Sequence, residues 1–213
     1  MQPVSSISGQ RLRWFMMAML VWWLAAAVYL LAWPKAAGYL QLRAAVGHPW
    51  ADGLFIWLTH AGDGLMAIAL IVLFFLLKKR SLAFVLLVAY AGSGLLAQVL
   101  KVVVAAPRPR AYFEGLGQQL QAVAGVDLLR SATSFPSGHT ATAFALAASL
   151  VLLHPWWNRH WWLAALLAVL VGFSRIHLGQ HFLADVWVGS MLGVAAAWAG
   201  YAWLRRWQPR WAA

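Results

Sequence analysis

The chain has 213 residues, 63% of them hydrophobic and only 10% charged, with 15 Trp and a formal net charge of +11. This apolarity excludes an ordinary soluble domain and indicates one membrane-embedded domain over residues 1–213. The absence of cysteine excludes a disulfide framework and a thiolate metal site, and the basic residues sit at the ends of apolar runs, so anionic headgroups and anionic substrates fit them better than nucleic acid does.

Met1–Gln10 is polar. Arg11 and Arg13 precede an apolar run, Trp14–Trp33, which is longer than a signal-peptide core, lacks a convincing cleavage site and reads as a retained first span. Pro34–Asp52 is a connector carrying Lys35, Arg43 and His48. The second span runs from about Gly53 to Leu77. It contains His60 and Asp63, which read as a capped helix or a small-residue crossing at least as readily as substrate contacts, and neither is assigned a catalytic role. Lys78-Lys79-Arg80 ends that span. The third runs from Ser81 to about Ala105, with Lys101 near its far end and Pro107 and Pro109 fixing the chain around Arg108.

Arg110–Phe135 is the longest stretch between spans. Leu116, Leu120 and Val123 fall at helical spacing among Gln118, Gln119 and Gln121, so a short interfacial helix acting as a lid or a lipid ramp and a plain surface loop weigh equally. The fourth span begins near Ser137 and ends at Leu153, the fifth covers about Trp161–Phe173, and the sixth runs from about Phe182 to Leu204, where Gly189 and Gly193 offer a small-residue packing face. Many Trp lie near segment ends, as in interfacial belts. The expectation is an all-α integral membrane bundle of six transmembrane helices.

Ionisable groups gather at one end of these runs, and such groups are costly near lipid unless they do something. Ser174, Arg175, His181 and Asp185 close the fifth run and open the sixth. If a helix begins at Gln180, His181 and Asp185 are one turn apart on one face, and a carboxylate on one imidazole nitrogen leaves the other as a base or nucleophile. The alternative is an ion pair tucked between helices. Arg175 offers a planar fork for phosphate oxygens. Pro136-Ser137-Gly138-His139 stands before the fourth run, where a helix N-terminus favours anions and Gly138 permits close backbone approach.

In chain order these clusters read K-x6-R-P (Lys101, Arg108, Pro109), P-S-G-H (136–139) and S-R-x5-H-x3-D (Ser174, Arg175, His181, Asp185). Their order and spacing resemble the type 2 phosphatidic acid phosphatase (PAP2) superfamily over roughly residues 50–205. The resemblance implies the family's helical bundle, with the site carried by the third to sixth helices. It implies that His181 attacks phosphorus and forms a phosphohistidine, that Asp185 orients it, and that His139 protonates the leaving oxygen. Lys101, Arg108 and Arg175 would neutralise the phosphate, aided by the Ser137 hydroxyl and the Gly138 amide. His177 is off the motif and has a modest claim to touch substrate. No cofactor or metal is expected, because three cations replace the ion and the acidic residues are scattered; a zinc site from His139, His177 and His181 would be opposed by Arg175 and Lys101.

Six spans place both termini on one side, with nine basic residues there against seven on the other. Removing Lys101, Arg108 and Arg175 leaves nine against four, which puts the termini in the cytoplasm and the motifs at the outer, periplasmic face of an inner membrane. The expected partner is a lipid phosphate: undecaprenyl diphosphate, a lipid A phosphate or a glycerophospholipid phosphate. Phosphotransfer between lipids would use the same residues. A soluble-type haloperoxidase fits less well. A small anion transporter would need charges along the spans, which their middles lack, and a non-catalytic anion-binding module would need the cations but neither His139 nor His181. Oligomeric state is not legible in the sequence.

Overall fold

The computed structural model describes residues 8–45 and 49–207, so His48 and Arg210 lie outside it. The described residues form helices α1 (Gly9–Ala32), α2 (Lys35–Ala44), α3 (Pro49–Thr59), α4 (Gly64–Leu76), α5 (Arg80–Val104), α6 (Pro109–Gly115), α7 (Gly138–Leu153), α8 (Pro155–Arg159), α9 (Trp161–His177) and α10 (Leu183–Trp207). A 3-10 turn, His60–Gly62, joins α3 to α4.

The all-α bundle is as expected, but the six membrane-crossing helices are not. Among the described residues three helices, α1, α5 (taken with α6 as Arg80–Gly115) and α10, are long and apolar enough to cross a membrane, or four if the bent pair α3–α4 counts as one span. The expected second span is broken: its halves meet at 52° across the 3-10 turn. The expected fourth and fifth spans, α7 and α9, are apolar but only 16 and 17 residues long. At the α-helical rise α7 reaches about 24 Å, short of the roughly 30 Å hydrocarbon core. Its apolarity has another cause. All residues from Thr140 to Leu152 are buried, so α7 is packed by protein on every side.

That burial makes α7 the axis of the fold, with α5, α9 and α10 packed around it. Small residues set the closest approach. A Cβ on Gly193 would fall 2.3 Å from the Ala141 carbonyl oxygen, and one on Gly189 would fall 2.6 Å from that of Ser137. The expected small-residue face of α10 therefore lies backbone to backbone on α7. Phe144, Ala148, Val151, Ala165, Ala168 and Val194 fill the core between these helices, and Phe15 and Met19 bring α1 onto it. Trp22 and Trp23 of α1 donate to the Ser190 hydroxyl at 3.2 and 2.9 Å. On the outer faces Val21, Leu24, Val28 and Leu31 of α1 and Leu95, Val99, Val102 and Val103 of α5 remain exposed, as lipid-facing positions should.

Two connectors differ from expectation. The stretch read as a plain connector after the first span contains α2. Pro109 does not merely stop a helix; it opens α6 at the first helical position, where its missing N–H costs nothing. Beyond Leu116 the chain is irregular, so the amphipathic spacing at Leu116, Leu120 and Val123 does not form a helix; Leu120 and Val123 instead pack inward.

Candidate active site

The three motif clusters meet at one end of α7. Lys101, in the last turn of α5, places Nζ 3.7 Å from where a Cβ on Gly138 would stand, against the first residue of α7. The Ser137 amide donates to the Asp185 carbonyl at 2.9 Å, which ties the start of α7 to the start of α10. The Ser137 hydroxyl, fully buried, caps α7 by accepting from the Thr140 amide at 3.4 Å and the Thr140 hydroxyl at 2.9 Å. The Arg175 carbonyl accepts from the amides of Gln180 and His181 at 2.9 and 3.1 Å, closing the α9–α10 turn. Gly179 sits in that turn with φ +74°, a conformation that favours glycine.

α10 begins at Leu183 rather than Gln180, yet His181 and Asp185 still pair: His181 Nδ1 lies 3.3 Å from Asp185 Oδ2. The carboxylate reaches back to the Phe182 amide at 2.9 Å, the return half of a capping box, and this brings the residue before the helix into register. Ser134 donates to the same Oδ2 at 2.5 Å. His181 is 2% exposed. Burial pushes its pKa down to about 4 against the pull of Asp185 in the other direction, so the ring is neutral at pH 7.

Arg108, between α5 and α6, is buried and held by the loop it precedes. Nε donates to Ser131 Oγ at 3.0 Å and Nη1 to the Gln180 carbonyl at 3.1 Å. Arg175 Nη1 donates to Thr59 Oγ1 at 2.6 Å, whereas its buried Nε has no hydrogen-bond partner among the described residues. His139 stands in the first turn of α7, with its carbonyl against the Gly62 turn. His177 is turned away from this group. Its Nε2 is 2.7 Å from Asp52 Oδ1, beside a cleft of about 370 Å³ that also touches Arg43 and Gln121. Asp63 caps α4 by accepting from the Leu65 amide at 3.2 Å.

Three contributors had no signal in the sequence. Ser134 and Thr59 are lone hydroxyls whose partners are far along the chain. Lys35 lies over the Tyr112 ring at 4.7 Å and at 4.1 Å over the ring of Phe182, the residue that follows His181. Among the described residues no three His, Cys, Asp or Glu side chains gather as metal ligands.

A profile of the PAP2 superfamily matches residues 82–209. The chain belongs to the PAP2 superfamily. It falls in the membrane lipid-phosphatase branch, as a multi-pass membrane enzyme. It is 30% identical to phosphatidylglycerophosphatase B of Bacillus subtilis (strain 168) over 80% of this chain and 84% of that one. It is 29% identical to an undecaprenyl-diphosphatase of Sulfolobus acidocaldarius over 67% of this chain and 65% of that one. The crystal structure of Aquifex aeolicus LpxE superposes with a TM-score of 0.65 at 27% identity, over 77% of this chain and 92% of that chain. The PAP2 match begins at Leu82, so it covers every motif residue but neither α3 nor Thr59.

Proposed function

We propose that this PAP2 enzyme removes phosphate from a lipid phosphomonoester or diphosphate through a phosphohistidine at His181. The observation that carries the reading is the Asp185–His181 pair. With Nδ1 on the carboxylate, the neutral ring keeps the Nε2 lone pair for phosphorus. Nε2 attacks, the bond from phosphorus to the leaving oxygen breaks, and His139, its pKa held down at about 3 by burial and Arg175 until the anionic phosphate offsets that cation, gives the oxygen its proton. Water then attacks the phosphorus, His139 takes a proton back, the P–N bond breaks, and inorganic phosphate leaves.

Lys101, Arg108 and Arg175 neutralise the non-bridging oxygens during both transfers. The unpartnered Nε of Arg175 supports this, since a buried guanidinium N–H without an acceptor is costly until an anion supplies one. The Gly138 amide at the start of α7 adds a further donor, and Ser137 serves by fixing that helix start.

The substrate class is a lipid whose phosphate reaches the end of the bundle while its chains stay in the bilayer: undecaprenyl diphosphate, a glycerophospholipid phosphate or a lipid A phosphate. The relatives named above act on the first two classes by their names. The site faces outward in this reading. Lys78, Lys79, Arg80, Arg159, Arg205 and Arg206 mark the opposite end of the bundle, and cytoplasmic placement of that basic end follows the positive-inside rule whatever the number of spans. Transfer to a second lipid in place of water would use the same groups.

The test is phosphate release by purified enzyme in detergent with EDTA, from undecaprenyl diphosphate, phosphatidylglycerophosphate and a lipid A phosphate in parallel. Release from at least one by wild type, lost in His181→Ala, is expected. Equal release by both proteins overturns the assignment.

A further inference from the structure

We infer that Thr59 is a positioning residue for Arg175, and that α3 is the element holding that guanidinium in its working plane. The inference rests on the reading of Arg175 as a phosphate-binding cation. Thr59 is buried at the end of α3 and accepts from Arg175 Nη1 at 2.6 Å, across 116 residues of chain. An arginine fork is planar, so fixing one terminal nitrogen fixes the direction of the rest. The Nε–Nη2 edge, the face that grips an oxyanion side-on, is the edge left over, and Nε on that edge has no partner.

Two features show that α3 is held for this contact. Further up the helix, Asp52 Oδ1 lies 2.7 Å from His177 Nε2, and the Phe55 ring packs tilted against the same imidazole, centroids 4.9 Å apart. α3 therefore clamps the last turn of α9 at both Arg175 and His177. Just past Thr59 the helix ends in the 3-10 turn. Gly62 lets that turn lie on α7 beside the site: a Cβ there would fall 2.6 Å from the His139 carbonyl oxygen and 2.7 Å from Val171 Cγ1. The break in the second apolar segment thus sets Thr59 level with Arg175, and α4 leaves in a new direction.

Replacing Thr59 by Val keeps the shape and deletes the acceptor, whereas Ser keeps the acceptor and deletes a methyl. Using the most readily hydrolysed of phosphatidic acid, phosphatidylglycerophosphate and undecaprenyl diphosphate, Thr59→Val should lower kcat/KM by about tenfold or more, as expected when a catalytic cation is misaimed by a fraction of an ångström. Thr59→Ser should stay within about threefold of wild type because the hydrogen bond survives. In an Arg175→Lys background, which lacks the fork, the Thr59→Val loss should disappear. Retained activity in Thr59→Val with loss in Thr59→Ser would make Thr59 a packing residue and overturn the inference. So would a Thr59→Val loss of equal size in the Arg175→Lys background. Unchanged kcat/KM in Arg175→Ala is a different failure, because it removes the phosphate-binding reading of Arg175 itself.

Discussion

Ser134 and Asp185 are joined by a hydrogen bond from the serine hydroxyl to the carboxylate oxygen that also faces His181. Both residues are buried, so the carboxylate has no water to replace a lost donor. Ser134→Ala should therefore lower kcat about tenfold or more with little change in KM, because the loosened carboxylate no longer fixes the imidazole. Initial rates against substrate concentration check this; a loss confined to KM would contradict it.

The buried His181 ties stability to pH. Its pKa is about 4 in the folded chain and near 6.5 when the chain is unfolded. Between those values the unfolded chain holds the extra proton, so this contribution is full above pH 6.5 and is lost as pH falls toward 4. Thermal melts in detergent from pH 4.5 to 7 should show wild type losing more stability on acidification than His181→Gln. Parallel curves would contradict the burial argument.

Arg108 and Arg110 are near neighbours with opposite expectations. Arg108 is buried and bonded to Ser131 and Gln180. Arg110 is exposed, paired with Glu114 at 2.9 Å and with the Leu128 carbonyl at 3.0 Å. Arg108→Lys should lower kcat/KM by roughly tenfold or more, since a point charge cannot replace the fork. Arg110→Ala should leave it within about twofold, as expected of a solvent-screened pair. Phosphate-release assays on the two variants distinguish them.

The contact of α7 with α10 leaves no room at Gly193. Gly193→Ala would drive a methyl into the backbone of Ala141 and Ala145, so the helices must separate. A destabilisation of about 2 kcal/mol or more is expected, read as a fall in melting temperature, with loss of activity because α10 carries Asp185 and α7 carries His139. An unaltered melting temperature would contradict the packing described.

That the motif residues gather at one end was legible because their chemistry is unusual in an apolar chain; charge near lipid needs a reason. The distance from Lys101 to Asp185 in sequence hid nothing, since each cluster closes or opens an apolar run and the runs share one end. The number of spans was not legible. Hydropathy reports that α7 avoids water, and it reads the same whether the helix is wrapped by lipid or, as here, by α5, α9 and α10. The break after Thr59 was only half legible: a capped helix at Asp63 was one of the two readings and Asp63 does cap α4, yet a run with His60, Gly62 and Asp63 inside it still averages as apolar. Thr59 and Ser134 left no trace because a single hydroxyl has no pattern; only the fold shows what it touches.

The phosphoenzyme is the most direct test of the mechanism. Wild type and His181→Ala would be mixed with lipid substrate bearing a radioactive phosphate and quenched in alkali within the first turnovers. An acid-labile, alkali-stable label on His181 is expected in wild type and none in the variant. Turnover of the same substrate with no label at His181, or equal labelling of His181→Ala, would contradict it.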